Sequence, residues 1–393
     1  MNSASRSIPL ENVCSLVTDG THYSPQNTGG NYPFVTVKNM TEKGLDFTDA
    51  SFISELEFEK AQQNRACPKY NDVLFSKDGT VGKVHVVKNE RPFAILSSIA
   101  ILRPIPRKLD SDYLAFILRH PATLEEADSR KTGSARRRIV LKDIKKIPVP
   151  LPPLEEQKRI AGILARADRV RQLRRYALQL SDGYLQAVFL RMFGDPVTNP
   201  MGWETARIKD LGKVQTGNTP SRKELENFGN HIEWIKTDNI HKGQMRLSSS
   251  REGLSQKGLS AGRFVGAGAC LVTCVAGSIS SIGDVALSDR RVAFNQQINA
   301  VTPDTDVDSN FLFGLLRQSK PIVQYWSTAG MKRIITKSKF ENLELFRPPS
   351  ELQVTFGNVV KRYERLRAQQ HEAIRQADHL FDMLLHRAFR GDL

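Results

Sequence analysis

Cysteine is scarce in this chain, with four in 393 residues, and a disulfide framework is thereby excluded as the basis of its fold. No apolar run approaches the roughly 18 residues of a membrane span, and the start M-N-S-A-S-R-S has no hydrophobic stretch of the kind a signal peptide carries. A cytoplasmic location is the expectation from these lacks. Cys270 and Cys274 are close, yet no His and no second Cys pair lies nearby to complete a zinc tetrahedron. No metal site is expected. No G-x-x-x-x-G-K segment followed by Ser or Thr occurs, and G-A-G-A-C-L at 266–271 lacks the third glycine and the following helix of a dinucleotide fingerprint. His22, Asp19 and Ser24 share one turn, where residues three apart do not present a nucleophile, its base and an orienting group in sequence. No catalytic residue and no cofactor bound by this chain itself is expected.

What is present in excess is positive charge. Lys and Arg number 57 against 42 Asp and Glu, a formal net charge of +15, and the natural partner of such a surface is a polyanion. The basic residues are spread over loops such as Arg136, Arg137 and Arg138 and along the helical segments, with no low-complexity tail. Recognition of nucleic acid by a folded surface fits this distribution.

The stretch from Thr132 to Phe193 returns from Thr328 to Phe389 in constant register. T-G-S-A-R-R-R-I at 132–139 lies over T-A-G-M-K-R-I-I at 328–335, and P-P-L-E-E-Q at 152–157 lies over P-P-S-E-L-Q at 348–353. The tails R-M-F-G-D and R-A-F-R-G-D also correspond after one inserted residue. A repeat of this length is a duplicated module. Each copy reads as a loop, a proline stop and a helix, because Pro148, Pro150, Pro152 and Pro153 hold the backbone extended.

From Leu154 to Met192 no proline interrupts, and Ile160, Ile163, Ala167, Val170, Ala177, Tyr184 and Val188 form a heptad-like seam. Phe356, Val359, Tyr363, Leu366, Ala373, Ala377, Leu380 and Leu384 repeat it. A helix of roughly 38 residues is on the order of 57 Å long and needs a partner along its length. The spacing predicts that the two helices pair as an intramolecular coiled coil, with weak positions at Arg174 and Ser181 that make the seam either leaky or shared with another protein's helix. Ile160, Ile163, Val170, Leu173, Leu178, Leu185, Val359, Leu366, Leu380 and Leu384 are the candidate partner-binding residues.

Residues 1–150 alternate β-rich runs with turn clusters: P-F-V-T-V at 33–37, D-V-L-F-S at 72–76, K-V-H-V-V at 83–87 and I-A-I-L at 99–102. A helix is predicted from Asp112 to about His120, after the Asp110-Ser111 cap. Residues 195–349 repeat the plan with diverged loops, W-I-K-T-D-N-I at 234–240 over F-V-T-V-K-N-M at 34–40 and A-C-L-V-T at 269–273 over D-V-L-F-S. The expected fold is α+β: two mostly-β domains, 1–150 and 195–349, each followed by a long helix, 151–194 and 350–393, in a pseudo-twofold repeat.

Two β-rich domains with unlike loops, each leading through prolines and E-x-Q into a long helix, resemble the specificity subunit of type I restriction-modification systems. P-L-P-P-L-E-E-Q-K-R-I at 150–160, R-P-P-S-E-L-Q at 347–353, the terminal A-F-R-G-D-L and the turns D-G-T-H-Y-S-P at 19–25 and T-G-N-T-P-S at 216–221 carry the resemblance. Phe346, Arg347 and Leu352 depart from the family pattern. The resemblance implies that each domain reads one half of a split, asymmetric sequence in double-stranded DNA and that the helices pair antiparallel as a spacer. It further implies two methyltransferase subunits that bind S-adenosylmethionine and methylate adenine, and two motor-nuclease subunits that use ATP and Mg²⁺. This chain would be the non-catalytic member.

The favoured DNA contacts lie in the basic loop before each helix: Thr132, Ser134, Arg136 and Arg137, and then Thr328, Lys332 and Arg333, since such side chains hold phosphates or base edges. Asp19, Thr21, His22, Lys77, Thr80, Thr216, Asn218, Thr219, Ser278 and Ser280 are further candidates on turns. A stand-alone architectural protein, with a coiled coil joining two DNA-binding domains, is the alternative. Equivalent loops would be expected there, and these loops differ.

Overall fold

The computed structural model describes residues 7–41, 44–129, 138–241, 243–328, 330 and 332–393. Along the chain, the elements that position the site are strands β1 (Cys14–Asp19), β2 (Val73–Ser76), β3 (Val84–Val86) and β4 (Ile99–Pro104), followed by helices α1 (Ser111–Arg119), α2 (Leu154–Leu180) and α3 (Tyr184–Phe193). The second set is β5 (Gly212–Thr216), β6 (Cys270–Thr273), β7 (Val285–Leu287), β8 (Ile298–Pro303), α4 (Ser309–Gln318) and α5 (Ser350–Arg390). The chain forms two compact units, one of residues 1–175 with 373–393 and one of residues 176–372.

In the first unit the sheet order is β1-β4-β2-β3, all antiparallel. Its strands are rich in β-branched and aromatic residues because both faces are covered: Val73, Leu74 and Phe75 are all buried, with no exposed alternate face. A second small sheet pairs Tyr32–Val35 with Ser51–Ile53 and Ala94–Ile95. Ser7–Pro9 pairs with Pro148–Pro150, so the proline segment is a strand that closes the domain before the helix starts. Asp110 caps α1 by accepting from Tyr113 N at 2.9 Å, as its sequence position foretells.

The second unit repeats this plan with order β5-β8-β6-β7 and a four-stranded sheet containing Phe228–Ile235. Thr205–Arg207 pairs with Glu344–Phe346 at the corresponding closing position. Phe346, which departs from the family's sequence pattern, packs with Phe189, Phe193, Phe311 and Phe356 in one aromatic cluster. Gly314 makes room for that cluster, since a Cβ there would lie 2.8 Å from the Phe189 ring.

The proline and E-x-Q segments have a structural purpose. Gln157 is buried, accepts from Asp110 N at 2.9 Å and donates to Lys108 O and Pro152 O. Gln353 does the same in the second unit, accepting from Asp308 N at 3.2 Å and donating to Pro348 O at 2.8 Å. Each amide joins the start of a long helix to the cap of the preceding domain helix. The partly buried backbone groups there are thereby satisfied.

Within each unit two helical segments run antiparallel. In the first, α2 residues Ile160, Leu164 and Ala167 share a core with α5 residues Phe381, Leu385 and Ala388, and Arg175 bonds Asp378 at 2.9 Å. In the second, Tyr363 donates to Ser181 O at 3.0 Å and stacks on Tyr184. The expected seam is buried at Ile160, Ala167, Phe356 and Ala377 and is corrected by one position at Ile163, Val359 and Leu384. Leu164, Val360 and Leu385 are buried, while Ile163, Val359 and Leu384 are half-buried and Val170, Leu366 and Leu380 are exposed. The reason is that each helix faces a domain helix and sheet as well as the other helix, so the wider core chooses its inner face. Ile160 belongs to that core, Leu173 is exposed, and Leu178 and Leu185 are half-buried.

The first long helix is also not continuous, contrary to its uninterrupted pattern. It stops at Leu180, and Ser181-Asp182-Gly183 form a turn before α3. Ser181 Oγ donates to Leu178 O at 2.7 Å, a local bond of the kind by which Ser competes with helix, and Gly contributes the least helix preference of any residue except Pro. α5 carries Ala377-Asp378-His379 at the repeated place and runs unbroken.

Candidate nucleic-acid interface

The antiparallel register brings separate turns to one end of each four-stranded sheet. Asp19 at the end of β1 faces Ala100 near the start of β4, and Ile99 faces Ser76 at the end of β2. Residues 19–22, 77–82 and 96–98 therefore share that end. Ile139 N donates to Lys77 O at 2.8 Å and Asp78 bridges Arg138, which brings the chain after the first basic loop to the same place. Thr132, Ser134, Arg136 and Arg137 themselves lie outside the described residues.

The second unit is built alike. Thr216 faces Asn299 and Thr273 faces Ile298, while Ile335 N donates to Cys274 O at 2.9 Å. Val275–Ala276 pairs with Arg333–Ile334, and Thr328 donates through N and Oγ1 to Ile334 O. Thr328, Lys332 and Arg333 are thus held beside the turn that carries Ser278 and Ser280. Gln157 and Gln353 mark the opposite end of each sheet, where the long helices begin.

The candidate side chains separate into three groups. Lys77 is only 4% exposed and its Nζ lies 3.0 Å from Asp19 Oδ2, so these two face each other inside the sheet edge and do not face solvent. Thr21 is buried and donates to Tyr23 O at 2.8 Å, a turn-stabilising bond. Thr216 donates to Asn299 Oδ1 at 2.6 Å and Asn299 Nδ2 reaches Cys274 Sγ at 3.2 Å. In contrast His22 is 78% exposed at its side chain, and Thr80, Thr219, Ser278, Ser280, Thr328 and Lys332 are exposed. Asn218 and Arg333 are half-buried, and Asn218 Nδ2 bonds Ala261 O.

Sequence reasoning missed the third turn, 96–98 and 295–297. Only the sheet register places it between the other two. It also missed Arg263, whose Nη1 donates to Thr216 O at 2.7 Å, and the pair Tyr325 and Trp326, 82% and 51% exposed and separated from Thr328 by Ser327 alone. Two adjacent aromatics followed by a basic loop were a usable signal, because aromatic rings and cations together bind nucleic acid.

Burial pushes the Cys274 thiol up to about 12, and Cys270 is pushed up as well by the same cause. Neither is a thiolate near neutral pH. Among the described residues no three His, Cys, Asp or Glu side chains are grouped to hold a metal ion, and no helix is long and apolar enough to cross a membrane.

Known proteins resemble this chain in sequence and in fold. The chain is 22% identical over 381 residues to the MjaX type I restriction enzyme specificity subunit of Methanocaldococcus jannaschii, which is described as putative, covering 91% of this chain and 86% of that one. It is 28% identical over 200 residues to the HindI specificity subunit of Haemophilus influenzae, covering 49% of this chain but only 42% of that protein. Among solved structures, the S subunit of a type I restriction-modification system from M. genitalium superposes with a TM-score of 0.58 at 11% identity, over 99% of this chain and 97% of that one. A chain from work on assembly and conformational transition of the type I R-M system gives 0.66 at 18%, over 100% and 99%. At these identities the structures speak to fold alone. The family model for the type I restriction modification DNA specificity domain matches twice, at residues 6–178 and 200–376, and with both repeats so matched this chain belongs to that family.

Proposed function

We propose that each unit reads one half of a bipartite, asymmetric DNA site through the turns gathered at its sheet end. The observation that carries this is the combination of one backbone frame with two sets of exposed side chains, His22 and Thr80 in the first unit against Thr219, Ser278 and Ser280 in the second. A shared scaffold with unlike tips is what two readers of different sequences require. The net charge of +15 supplies the sequence-independent attraction to phosphate.

The chain itself carries out no chemistry in this reading. Adenine methylation belongs to two methyltransferase subunits with S-adenosylmethionine, and cleavage to two motor-nuclease subunits with ATP and Mg²⁺, all in the cytoplasm. In the first unit the exposed apolar residues Val170, Leu173 and Leu380, and in the second Leu366, are side chains that a partner helix would cover. Methylome mapping in cells that carry this chain with its partner subunits tests the proposal. A single split motif is expected, and exchange of residues 1–150 for the domain of another such subunit changes one half of it only. A continuous motif, or a change in both halves, would overturn the reading.

A further inference from the structure

Gly20 and Gly217 occupy the same place in the two units, and each lets two turns lie against one another. A Cβ on Gly20 would stand 2.1 Å from Ile95 O, and one on Gly217 would stand 2.2 Å from Asn295 O. Only glycine permits that approach. Backbone bonds then lock the turns together. Thr21 N donates to Ile95 O at 3.0 Å and Ser97 N to Thr21 O at 2.9 Å in the first unit. Asn218 N donates to Phe294 O at 3.1 Å and Gly217 N to Ile298 O at 3.1 Å in the second.

The strand registers equate the neighbours of these contacts. Ile95 pairs with Val35 as Phe294 pairs with Ile235, so Ser97 corresponds to Gln296. Asp19 faces Ala100 as Thr216 faces Asn299, so His22 corresponds to Thr219. In the second unit both members are exposed, and the Thr219 hydroxyl is hydrogen-bonded to the Gln296 side-chain amide. The turn beneath is rigid, because buried Asn295 accepts from Gln297 N at 3.1 Å and donates to Gln297 Oε1 at 3.0 Å.

We infer that Gln296, oriented by Thr219, reads an adenine in one half-site, and that His22 with Ser97 stands at the same station for the other half. The inference rests on the DNA-reading function proposed above. A glutamine amide offers a donor and an acceptor side by side, matching adenine N7 and N6 in the major groove. Its tie to Thr219 removes part of the rotamer freedom that binding would otherwise have to freeze.

The test uses the chain assembled with its methyltransferase partner, and reads binding and methylation across a library randomised in both half-sites. For the parent, a split motif with adenine at one position of the second unit's half is expected. Gln296→Ala should relax that position by on the order of 10- to 100-fold, with the other half and the spacer unchanged. Gln296→Glu should move the preference there from adenine toward cytosine, whose amino group a carboxylate accepts. Gln296 is exposed, so both variants should melt with the parent. A parent with no split motif would overturn the DNA-reading function together with this assignment. A parent with a split motif, and variants that keep it at every position or weaken all sequences equally, would overturn the assignment alone.

Discussion

The two units solve one problem with opposite chemistry. Where the first holds its sheet edge with a buried ion pair, Asp19 to Lys77 at 3.0 Å, the second places Thr216, Asn299 and Cys274, three neutral groups in a hydrogen-bonded line. The backbone around them is the same. A duplicated frame therefore tolerates either solution provided every buried polar atom finds a partner, which is the requirement that burial imposes. The two solutions differ in how they fail. Removing one ion of a buried pair strands the other, whereas removing a neutral partner strands only a hydrogen bond.

The largest expected effect follows directly. Asp19→Ala leaves Lys77 charged and buried, and should cost about 3–5 kcal/mol of the first unit's stability. Replacing the set with the second unit's residues, Asp19→Thr, Lys77→Cys and Ala100→Asn, should return stability to the parent's level or above. Urea denaturation of the full chain measures both. A loss below about 1 kcal/mol for Asp19→Ala would show that water reaches Lys77 and that the contrast between the units is one of sequence only.

The glutamine latches should behave alike in both units. Gln157→Ala and Gln353→Ala remove three and two hydrogen bonds around a helix cap and should cost about 1–3 kcal/mol apiece. If hydrogen exchange at Asp110 and Asp308 speeds up in only one variant, the two joints are not equivalent and the symmetry is superficial.

Acid should separate the units. Burial, with His386 beside it, pushes the His120 imidazole below its usual range, and its Nδ1 accepts from Ala122 N at 3.2 Å. Burial also lowers His85. A histidine whose folded value is depressed favours the neutral form. Its contribution is complete above the unfolded value of about 6.5 and is lost as pH falls through the lower folded value. Gln318 follows Arg317 where His120 follows Arg119, and does not titrate. Lowering pH from 7.5 to 5.5 should thus reduce amide protection, relative to the intrinsic exchange rate at each pH, in the first unit more than in the second, and His120→Gln should narrow the gap. Equal acid sensitivity in parent and variant would remove His120 as a cause.

The smallest effect concerns the helix break. Gly183 has φ −88° and ψ −5°, and a Cβ there meets nothing within 4 Å. Gly183→Ala should therefore stabilise by about 0.4–1 kcal/mol by restricting the unfolded chain. Circular dichroism with a melting curve reads both stability and helix content. A destabilised variant would mean that the turn needs glycine for more than its weak helix preference.

Much of this was legible in the amino acids. Strands at 73–76 and 84–86 and the helix capped by Asp110 follow from β-branched residues and a local cap, both short-range effects. The break at Ser181-Asp182-Gly183 was legible in part, since all three are poor helix formers, but the absence of proline concealed it. Lys77 was misread because a lysine in a K-D-G-T turn is ordinarily solvated. Its buried state depends on Asp19, 58 positions away in sequence, and no local pattern signals such a pair.

Sequence alone determined the duplication and the charge, because repetition and composition need no folding to be read. The tertiary structure alone decided which turns meet, which of their side chains face outward and which helix face is buried. Those outcomes depend on strand register and on packing between distant segments, where a shift of one residue turns a side chain from solvent to core.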